Sequence, residues 1–193
     1  MVDYYTHHYR VYHERTFSVD PSSFLTPLTA HLTTGSTVVD VGCGSGRDIL
    51  WLQKRGYHVI GVERSGGLVG LARRNTACRI IEADFETYDF TTISADALLF
   101  IGALVHLPHA RFPAVFESVC RALKTPGIVL ITMKKGSGAI TDQDGRRFYL
   151  WQDKELRDVF QARNLEVIEF FRQSSQINPK DTWLGYVLRK KEG

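Results

Sequence analysis

The residues best suited to binding chemistry are three glycines, Gly42, Gly44 and Gly46, which follow a short apolar run in VVDVGCGSGRD at positions 38–48. Glycine reaches left-handed backbone conformations and lets a ligand approach the chain closely. A Walker A phosphate loop ends in Gly-Lys-Ser/Thr, which GSGRD lacks. A dinucleotide fingerprint has the spacing G-x-G-x-x-G, and the spacing here is G-x-G-x-G, so only a degenerate form of that motif is compatible.

Two acidic stretches after the loop indicate a nucleoside ligand. Glu63 follows the loop by about 20 residues, the usual distance of an acid that accepts hydrogen bonds from ribose hydroxyls. In EADF, positions 82–85, Asp84 is suited to accept from an adenine amino group and Phe85 to pack against the base. Nicotinamide dinucleotides and S-adenosylmethionine both contain adenosine. EADF and the antiparallel tail described below favour S-adenosylmethionine.

His106 follows an apolar run and is the clearest candidate for proton transfer. A histidine there is either a base that removes a proton from a substrate or a pocket wall that orients the substrate. We favour the wall, because a neutral or already ionised nucleophile needs no base. No metal site is predicted: Pro108 separates His106 from His109, no third ligand is evident, and the three cysteines form no CxxC pair.

Alternating strands and helices must position these residues, which indicates a mostly parallel sheet with helices on both faces. Two strand-like runs at the end are joined by about ten residues without a helical pattern, which favours an antiparallel connection. We therefore predict a Rossmann-like α/β domain with a seven-stranded sheet and an antiparallel last strand. The predicted strands are residues 36–42, 57–63, 78–84, 95–103, 128–134, 165–171 and 182–190, and the predicted helices are 45–56, 66–75, 111–127 and 151–164.

An N-terminal segment precedes the sheet and is predicted to form a helical lid. Tyr5, Tyr12 and Arg15 recur at helical spacing in YYTHHYRVYHERT, together with His8 or Tyr9. A second helix is predicted near DPSSFLTPL, with the aspartate as N-cap and the proline at the first helical position. We assign residues 1–35 to the lid and residues 36–193 to the ligand-binding part of the same domain.

The motifs, in this order, resemble those of the class I S-adenosylmethionine-dependent methyltransferases. VVDVGCGSGRD is similar to the first family motif, GVERS to the ribose-binding acid, EADF to the adenine motif, DALLFIGALVHLP to the fourth-strand motif and RALKTPGIVLITM to the lead into strand five. The resemblance implies that the loop approaches the methionine part and the ribose of the cofactor, with no phosphate bound. The predicted cofactor-binding residues are Tyr5, Tyr12, Arg15, Asp40, Gly42, Gly44, Gly46, Arg47, Glu63, Arg64, Asp84, Phe85 and Ile101. Asp40 is equally well explained as a brace of the loop, and Arg64 as a surface cation or as a partner of a 2′-phosphate.

A narrower resemblance is to small bacterial methyltransferases related to the tellurite-resistance type. It rests on Tyr5, Tyr12, Glu14, Arg15 and Thr16, then on GSGRD, LVHLP, Lys134, Gly136, DGRRF and TWL. Thr6, Lys135 and Arg147 depart from the pattern of that group, in segments expected to face the substrate.

The function implied is transfer of a methyl group from S-adenosylmethionine, leaving S-adenosylhomocysteine, to an O, N or S nucleophile of a small molecule by in-line displacement. The catalytic candidates are His106 and Tyr12, and the substrate-facing candidates are Tyr9, His106, Lys134, Arg146 and Tyr149. If the cations of the insert KKGSGAITDQDGRRFYLW point inward, they favour an anionic substrate; otherwise the insert is a solvated loop. The alternatives are an NAD(P)-dependent oxidoreductase and a methyltransferase acting on RNA or protein.

Length and composition fit one globular domain of 193 residues with 44% hydrophobic residues. A net charge of +3 is too small to indicate a nucleic-acid partner. No apolar run reaches the roughly 18 residues of a membrane span, and no signal peptide is evident. Three cysteines fit a reducing cytoplasm. We therefore expect a cytoplasmic monomer or homodimer without nucleic-acid or membrane partners.

Overall fold

The computed structural model describes residues 4–191, so residues 1–3 of the predicted lid and residues 192–193 lie outside the described part. One seven-stranded sheet has the order β3-β2-β1-β4-β5-β9-β8. Only β9 runs antiparallel to its neighbours β5 and β8. The strands are β1 Thr37–Val41, β2 His58–Glu63, β3 Arg79–Glu82, β4 Ala95–Ile101, β5 Leu123–Lys134, β8 Leu165–Ser174 and β9 Thr182–Lys190. The predicted sheet, with its antiparallel last strand, is confirmed.

Helices cover the sheet, as predicted. They are α4 Arg47–Gln53, α5 Gly66–Asn75, α6 Phe112–Val119 and α7 Asp153–Gln161, and single 3₁₀ turns span Phe90–Thr92, Leu104–His106 and Cys120–Ala122. The central strands are almost wholly buried because helices lie over both faces. Two apolar clusters fill the space between the sheet and the helices, one on each side.

The helix predicted over residues 111–127 is wrong in its second half. It ends at Val119, and β5 already begins at Leu123. Ala95 pairs with Leu123 and Ala97 with Ile128, so residues 124–127 bulge out of the ladder. Proline has no backbone N–H to give to a ladder, and a bulge therefore accommodates the Pro-Gly pair that the sequence presents as a helix stop.

The insert between β5 and α7 forms a small β-hairpin that the sequence did not predict. Its strands are β6 Ala139–Thr141 and β7 Arg147–Tyr149, which pair only with each other. Asp142 accepts hydrogen bonds from the backbone N–H groups of Asp144 and Arg146 at 3.0 and 2.9 Å and so closes the turn.

The N-terminal segment forms three helices instead of two. His8 interrupts the first predicted helix, which splits into α1 Tyr4–His7 and α2 Tyr9–Thr16. Helix α3, Ser22–Thr29, begins after Asp20, whose carboxylate accepts the Ser22 backbone N–H at 3.0 Å. The α3 side chains Leu25 and Leu28 are fully buried, so α3 is part of the core. From here on, the name lid refers to α1 and α2.

Gly61 in β2 provides a test of how tightly the core is packed. A Cβ there would lie 2.8 Å from Cys43 Sγ and Ile80 Cδ1 and 2.9 Å from Ile49 Cδ1. We expect Gly61→Ala to lower the free energy of unfolding by about 1–3 kcal/mol, because the core would be overpacked. Gly70→Ala in α5 is the control, since its Cβ meets nothing closer than Arg74 at 3.9 Å. Urea denaturation measures both; equal stabilities of the two variants would contradict the packing described.

Candidate functional site

The glycine loop after β1 is held in left-handed conformations, with φ values of 75° at Gly42, 55° at Gly44 and 89° at Gly46. A Cβ at Gly42 would lie 2.7 Å from the Ala103 side chain, and one at Gly46 would lie 2.8 Å from Thr76. These two glycines are therefore required by the packing of the chain. Gly44 differs, because a Cβ there would meet only the ring of Tyr12, at 3.5 Å. Gly44 faces the space beneath the lid.

Glu63, at the end of β2, is the buried carboxylate of the site. Its Oε2 accepts the backbone N–H of Gly44 at 3.0 Å, and its Oε1 accepts that of Ser65 at 2.8 Å. Burial raises the pKa of Glu63, and the backbone N–H bonds oppose that shift. A carboxylate has about four lone-pair sites, so both oxygens keep acceptor capacity for a ligand.

Glu63 opens into a cavity of about 420 Å³ beneath the lid, which we call the inner cavity. This volume lies in the range of small-molecule pockets. The wall combines the glycine loop, the ends of β2 and β4, and the turn after β3. Eleven predicted residues line it: Tyr5, Tyr12, Gly42, Gly44, Glu63, Arg64, Phe85, Ile101, His106, Arg146 and Tyr149.

A second cavity of about 700 Å³, which we call the outer cavity, lies beside the first. It is enclosed by α1, α2, the β6–β7 hairpin and the loop between β8 and β9. Arg15, Arg47 and Lys134 line it among the predicted residues. Both cavities are lined by Tyr4, Tyr5, Tyr12, Ile101, Gly102 and Arg146, which we call the junction. Two molecules held in the two cavities would meet there.

His106 joins the lid to the hairpin. Its Nδ1 lies 2.7 Å from the Arg147 carbonyl oxygen and its Nε2 lies 2.8 Å from the Tyr5 hydroxyl. A carbonyl oxygen only accepts, so Nδ1 carries the proton and Nε2 accepts from Tyr5. Burial lowers the pKa of His106 to about 4. A neutral ring with both nitrogens engaged fits the wall that we predicted better than the base.

Further contacts hold α1 and α2 over the cavities. Ser65 Oγ donates to the Tyr5 carbonyl oxygen at 2.9 Å, and His13 Nδ1 lies 2.8 Å from Ser45 Oγ in the glycine loop. Arg15 forms an ion pair of 3.0 Å with Asp144 at the tip of the hairpin. The lid thus rests on the loop, on the start of α5 and on the hairpin.

Asp40 lies under the glycine loop and lines neither cavity. It is 2% exposed, and burial beside Asp48 raises its pKa well above the usual range. Arg47 pairs with Asp48 through Nε–Oδ1 at 2.7 Å and Nη2–Oδ2 at 3.1 Å. Burial away from both cavities disfavours direct ligand contact by Asp40, and its role as a brace of the loop stays a prediction.

Four predicted residues line neither cavity: Tyr9, Asp40, Gly46 and Asp84. Tyr9 lies outside both cavities and packs on α5, where a Cβ at Gly67 would lie 2.5 Å from its ring. Tyr9 is therefore a packing residue of the lid. Asp84 also lines neither cavity; its carboxylate accepts the Glu86 backbone N–H at 2.9 Å and lies 3.7 Å from Arg64 Nη1.

The substrate-facing candidates are divided between the two cavities. His106 and Tyr149 line the inner cavity and Lys134 the outer one, whereas Arg146 lies at the junction. The sequence missed Phe24, Phe148, Asp181 and Trp183, all in the outer wall. Phe148 lies in DGRRF and Trp183 in TWL, so the narrower resemblance already contained a signal for both.

Residues 4–191 contain no cluster of three His, Cys, Asp or Glu side chains arranged to hold a metal ion. No helix within that range is both long and apolar enough to span a bilayer.

The chain matches known methyltransferase sequences. Residues 38–127 match the family model described as a methyltransferase domain. Phosphoethanolamine N-methyltransferase 1 of Zea mays is 32% identical over 136 residues, which is 67% of this chain and 26% of that protein. The ubiquinone biosynthesis O-methyltransferase of Paraburkholderia xenovorans is 32% identical over 104 residues, or 51% of this chain and 43% of that protein. The chain thus spans less than half the length of these two relatives.

Solved structures with the same fold cover almost the whole chain. The 1,6-didemethyltoxoflavin-N1-methyltransferase of Burkholderia thailandensis was solved with 1,6-didemethyltoxoflavin and S-adenosylhomocysteine bound. Its TM-score is 0.77 at 20% identity, and the match covers 95% of this chain and 82% of that chain. A TehB-like SAM-dependent methyltransferase of Corynebacterium glutamicum has a TM-score of 0.73 at 21% identity, with coverages of 96% and 99%. The predicted fold and the resemblance on which it drew are confirmed.

Protonation of His106 should weaken the closed arrangement. Its pKa is about 4 here against an ordinary value of about 6.5, so the neutral form is preferred when the lid is closed. The neutral His106 ring therefore stabilises the folded state fully above about pH 6.5. This stabilisation is lost as the pH falls toward 4, and the free energy of unfolding decreases by at most about 3 kcal/mol. Urea denaturation at several pH values should show this loss in the wild type and a smaller one in His106→Asn. Parallel pH profiles for the two proteins would contradict it.

Proposed function

Because the chain has the class I methyltransferase fold and its residues 38–127 match the methyltransferase domain, we propose that it transfers a methyl group from S-adenosylmethionine to a small-molecule acceptor. The observation that carries the proposal is the inner cavity, in which a buried carboxylate and the glycine loop face a space shared with a second cavity. When bound, S-adenosylmethionine supplies a methyl group on a sulfonium centre, from which an O, N or S nucleophile displaces it in line.

The residues of the inner cavity fit this cofactor. Glu63 holds the ribose hydroxyls, because its two oxygens are fixed by backbone N–H groups and keep free lone pairs. Phe85 packs against the base, and Gly44, which has no side chain at the cavity wall, leaves room for the methionine part. Asp84 binds the adenine amino group only if it turns from its present contact with Arg64.

The junction residues align the two reactants. Tyr5 and Tyr12 pack edge to face, with ring centroids 5.0 Å apart, and present π-electrons to a sulfonium cation. Burial raises the pKa of both phenols, so they remain protonated near neutral pH. The protonated Tyr12 phenol cannot accept a proton there, and His106 is a weak base because its pKa is lowered to about 4 and both of its ring nitrogens are engaged. Rate enhancement comes from holding the nucleophile opposite the leaving sulfur, which suits an acceptor that needs no base.

A small-molecule acceptor fits the enclosure better than RNA or a protein. The outer cavity lies beneath α1, α2 and the hairpin, and the ion pair between Arg15 and Asp144 joins the lid to the hairpin above it. A macromolecule would have to displace both. The NAD(P)-dependent alternative is disfavoured by β9, since an antiparallel strand replaces the second mononucleotide-binding half.

The cofactor assignment predicts a specific loss on changing Glu63. We expect Glu63→Gln to weaken binding of S-adenosylhomocysteine by roughly 1–3 kcal/mol, because the ribose hydroxyls lose a charged acceptor. Isothermal titration calorimetry measures the dissociation constant. Glu82→Gln is the matched control, since this glutamate ends the neighbouring strand β3 and its side chain is 52% exposed.

The wild-type chain should also show negligible heat with NADPH. Comparable affinity for NADPH, or equal affinity of the wild type and Glu63→Gln for S-adenosylhomocysteine, would contradict the cofactor site.

The lid assignment predicts protection on ligand binding. Arg10 and Arg15 lie in α2 and are both exposed to solvent. S-adenosylhomocysteine should slow tryptic cleavage after these two residues, because short helices are stable only when they are packed. Cleavage after Arg55, at the turn before β2, is the internal control and should be unaffected. Cleavage at Arg10 and Arg15 that is equally fast with and without the ligand would argue against a lid.

A further inference from the structure

We infer that the outer cavity binds an uncharged, planar aromatic or heteroaromatic acceptor, stacked on Trp183. The inference rests on the proposed function, because it treats the outer cavity as the acceptor site. It concerns only the shape and charge of that cavity, however, and its test does not require methyl transfer.

Aromatic side chains form part of the wall of the outer cavity. Six aromatic residues contribute to its wall: Tyr4, Tyr5, Tyr12, Phe24, Phe148 and Trp183. Trp183 lies next to the junction, since a Cβ at Gly102 would be 3.3 Å from its ring. Phe24 meets the Trp183 ring at right angles, 6.4 Å between centroids, and packs against it in the same wall. A flat ring stacked on Trp183 would therefore present its edge to the reacting methyl group.

The cations of the outer cavity already have carboxylate partners. Lys134 Nζ lies 2.6 Å from Asp181, and Arg146 Nη2 lies 2.7 Å from Asp142. Arg47 pairs with Asp48, and Arg15 pairs with Asp144. Lys180 lies at the exposed rim. These pairings remove the basis for expecting an anionic substrate, because carboxylates already compensate these cations.

Lys134 also occupies the position that a cationic substrate would take. Its ammonium lies 3.9 Å from the centroid of the Phe148 ring and 5.7 Å from that of Trp183. The face of Phe148 that would attract a substrate ammonium is thus used by the chain itself, whereas the more distant Lys134 ammonium leaves room at the Trp183 ring. An ammonium has three N–H donors, and the bond to Asp181 uses one of them. The others remain to bind a ring nitrogen, carbonyl or hydroxyl of a neutral acceptor.

A phosphate monoester is poorly suited to this cavity. It carries about −1.5 to −2 charges at pH 7. Those charges would lie close to the carboxylates of Asp142, Asp144 and Asp181, which would repel them. Phosphoethanolamine, named for the relative from Zea mays, belongs to this disfavoured class.

Two probes with the same ring separate these classes. We would titrate the full chain, with and without S-adenosylhomocysteine, with 2-naphthol and with 2-naphthyl phosphate, and measure both dissociation constants by calorimetry. We expect 2-naphthol to bind at least tenfold more tightly than the phosphate. Trp183→Leu should weaken 2-naphthol binding at least tenfold, and Trp183→Phe should restore part of it. Trp51→Leu on α4, outside both cavities, should leave it unchanged.

Asp181→Asn tests the charge balance directly. It leaves the Lys134 ammonium without its carboxylate, so 2-naphthyl phosphate should gain at least fivefold in affinity while 2-naphthol changes little. Tighter binding of the phosphate to the wild type, absence of binding by both probes, or an unchanged 2-naphthol affinity in Trp183→Leu would overturn the inference. Absence of S-adenosylhomocysteine binding would instead overturn the proposed function. The affinities of 2-naphthol and 2-naphthyl phosphate for the chain without S-adenosylhomocysteine would still test the inference.

Discussion

The site depends on the hydrogen bonds that the Glu63 carboxylate accepts from the backbone N–H groups of Gly44 and Ser65. A carboxylate is costly to bury, and two backbone donors with good geometry offset that cost. The two bonds connect the glycine loop after β1 to the start of α5 after β2. Ser65 in turn binds the lid through the Tyr5 carbonyl oxygen. One buried acid therefore fixes the loop, the neighbouring helix and part of the lid in one arrangement.

The parts of the fold that follow local rules could be predicted from the sequence. Apolar strands alternating with helices gave the sheet, and the glycine spacing with the acid after β2 located the inner cavity. The break of the first helix at His8 and the bulge around Pro126 could not be read in this way, because each depends on packing against distant segments. Tyr9 is the clearest example of what the sequence does not show. Aromatic residues at helical spacing do not indicate which ring lines a cavity and which packs on α5, as Tyr9 does.

Most of the residues and ion pairs in the wall of the outer cavity could not be predicted from the sequence, for a similar reason. Its chemistry depends on the register of β5 and β9, which places Lys134 opposite Trp183, and on Asp181, which precedes β9. The basic residues of the insert and the carboxylates of Asp142 and Asp144 are visible in the same stretch of sequence, but their pairing is not, and Asp181 comes from a loop 47 residues beyond Lys134. Inward-pointing cations alone would favour an anionic substrate, and their pairing with carboxylates is the reason why we propose an uncharged one.

The central claim is that one cofactor lies in the inner cavity with its reacting sulfur at the junction. A crystal structure of the chain with S-adenosylhomocysteine tests it most directly. We predict that the ribose hydroxyls contact the Glu63 carboxylate and that the sulfur lies between Tyr5, Tyr12 and Ile101, facing the outer cavity. Ligand density away from Glu63, or a sulfur that faces away from the outer cavity, would contradict the account.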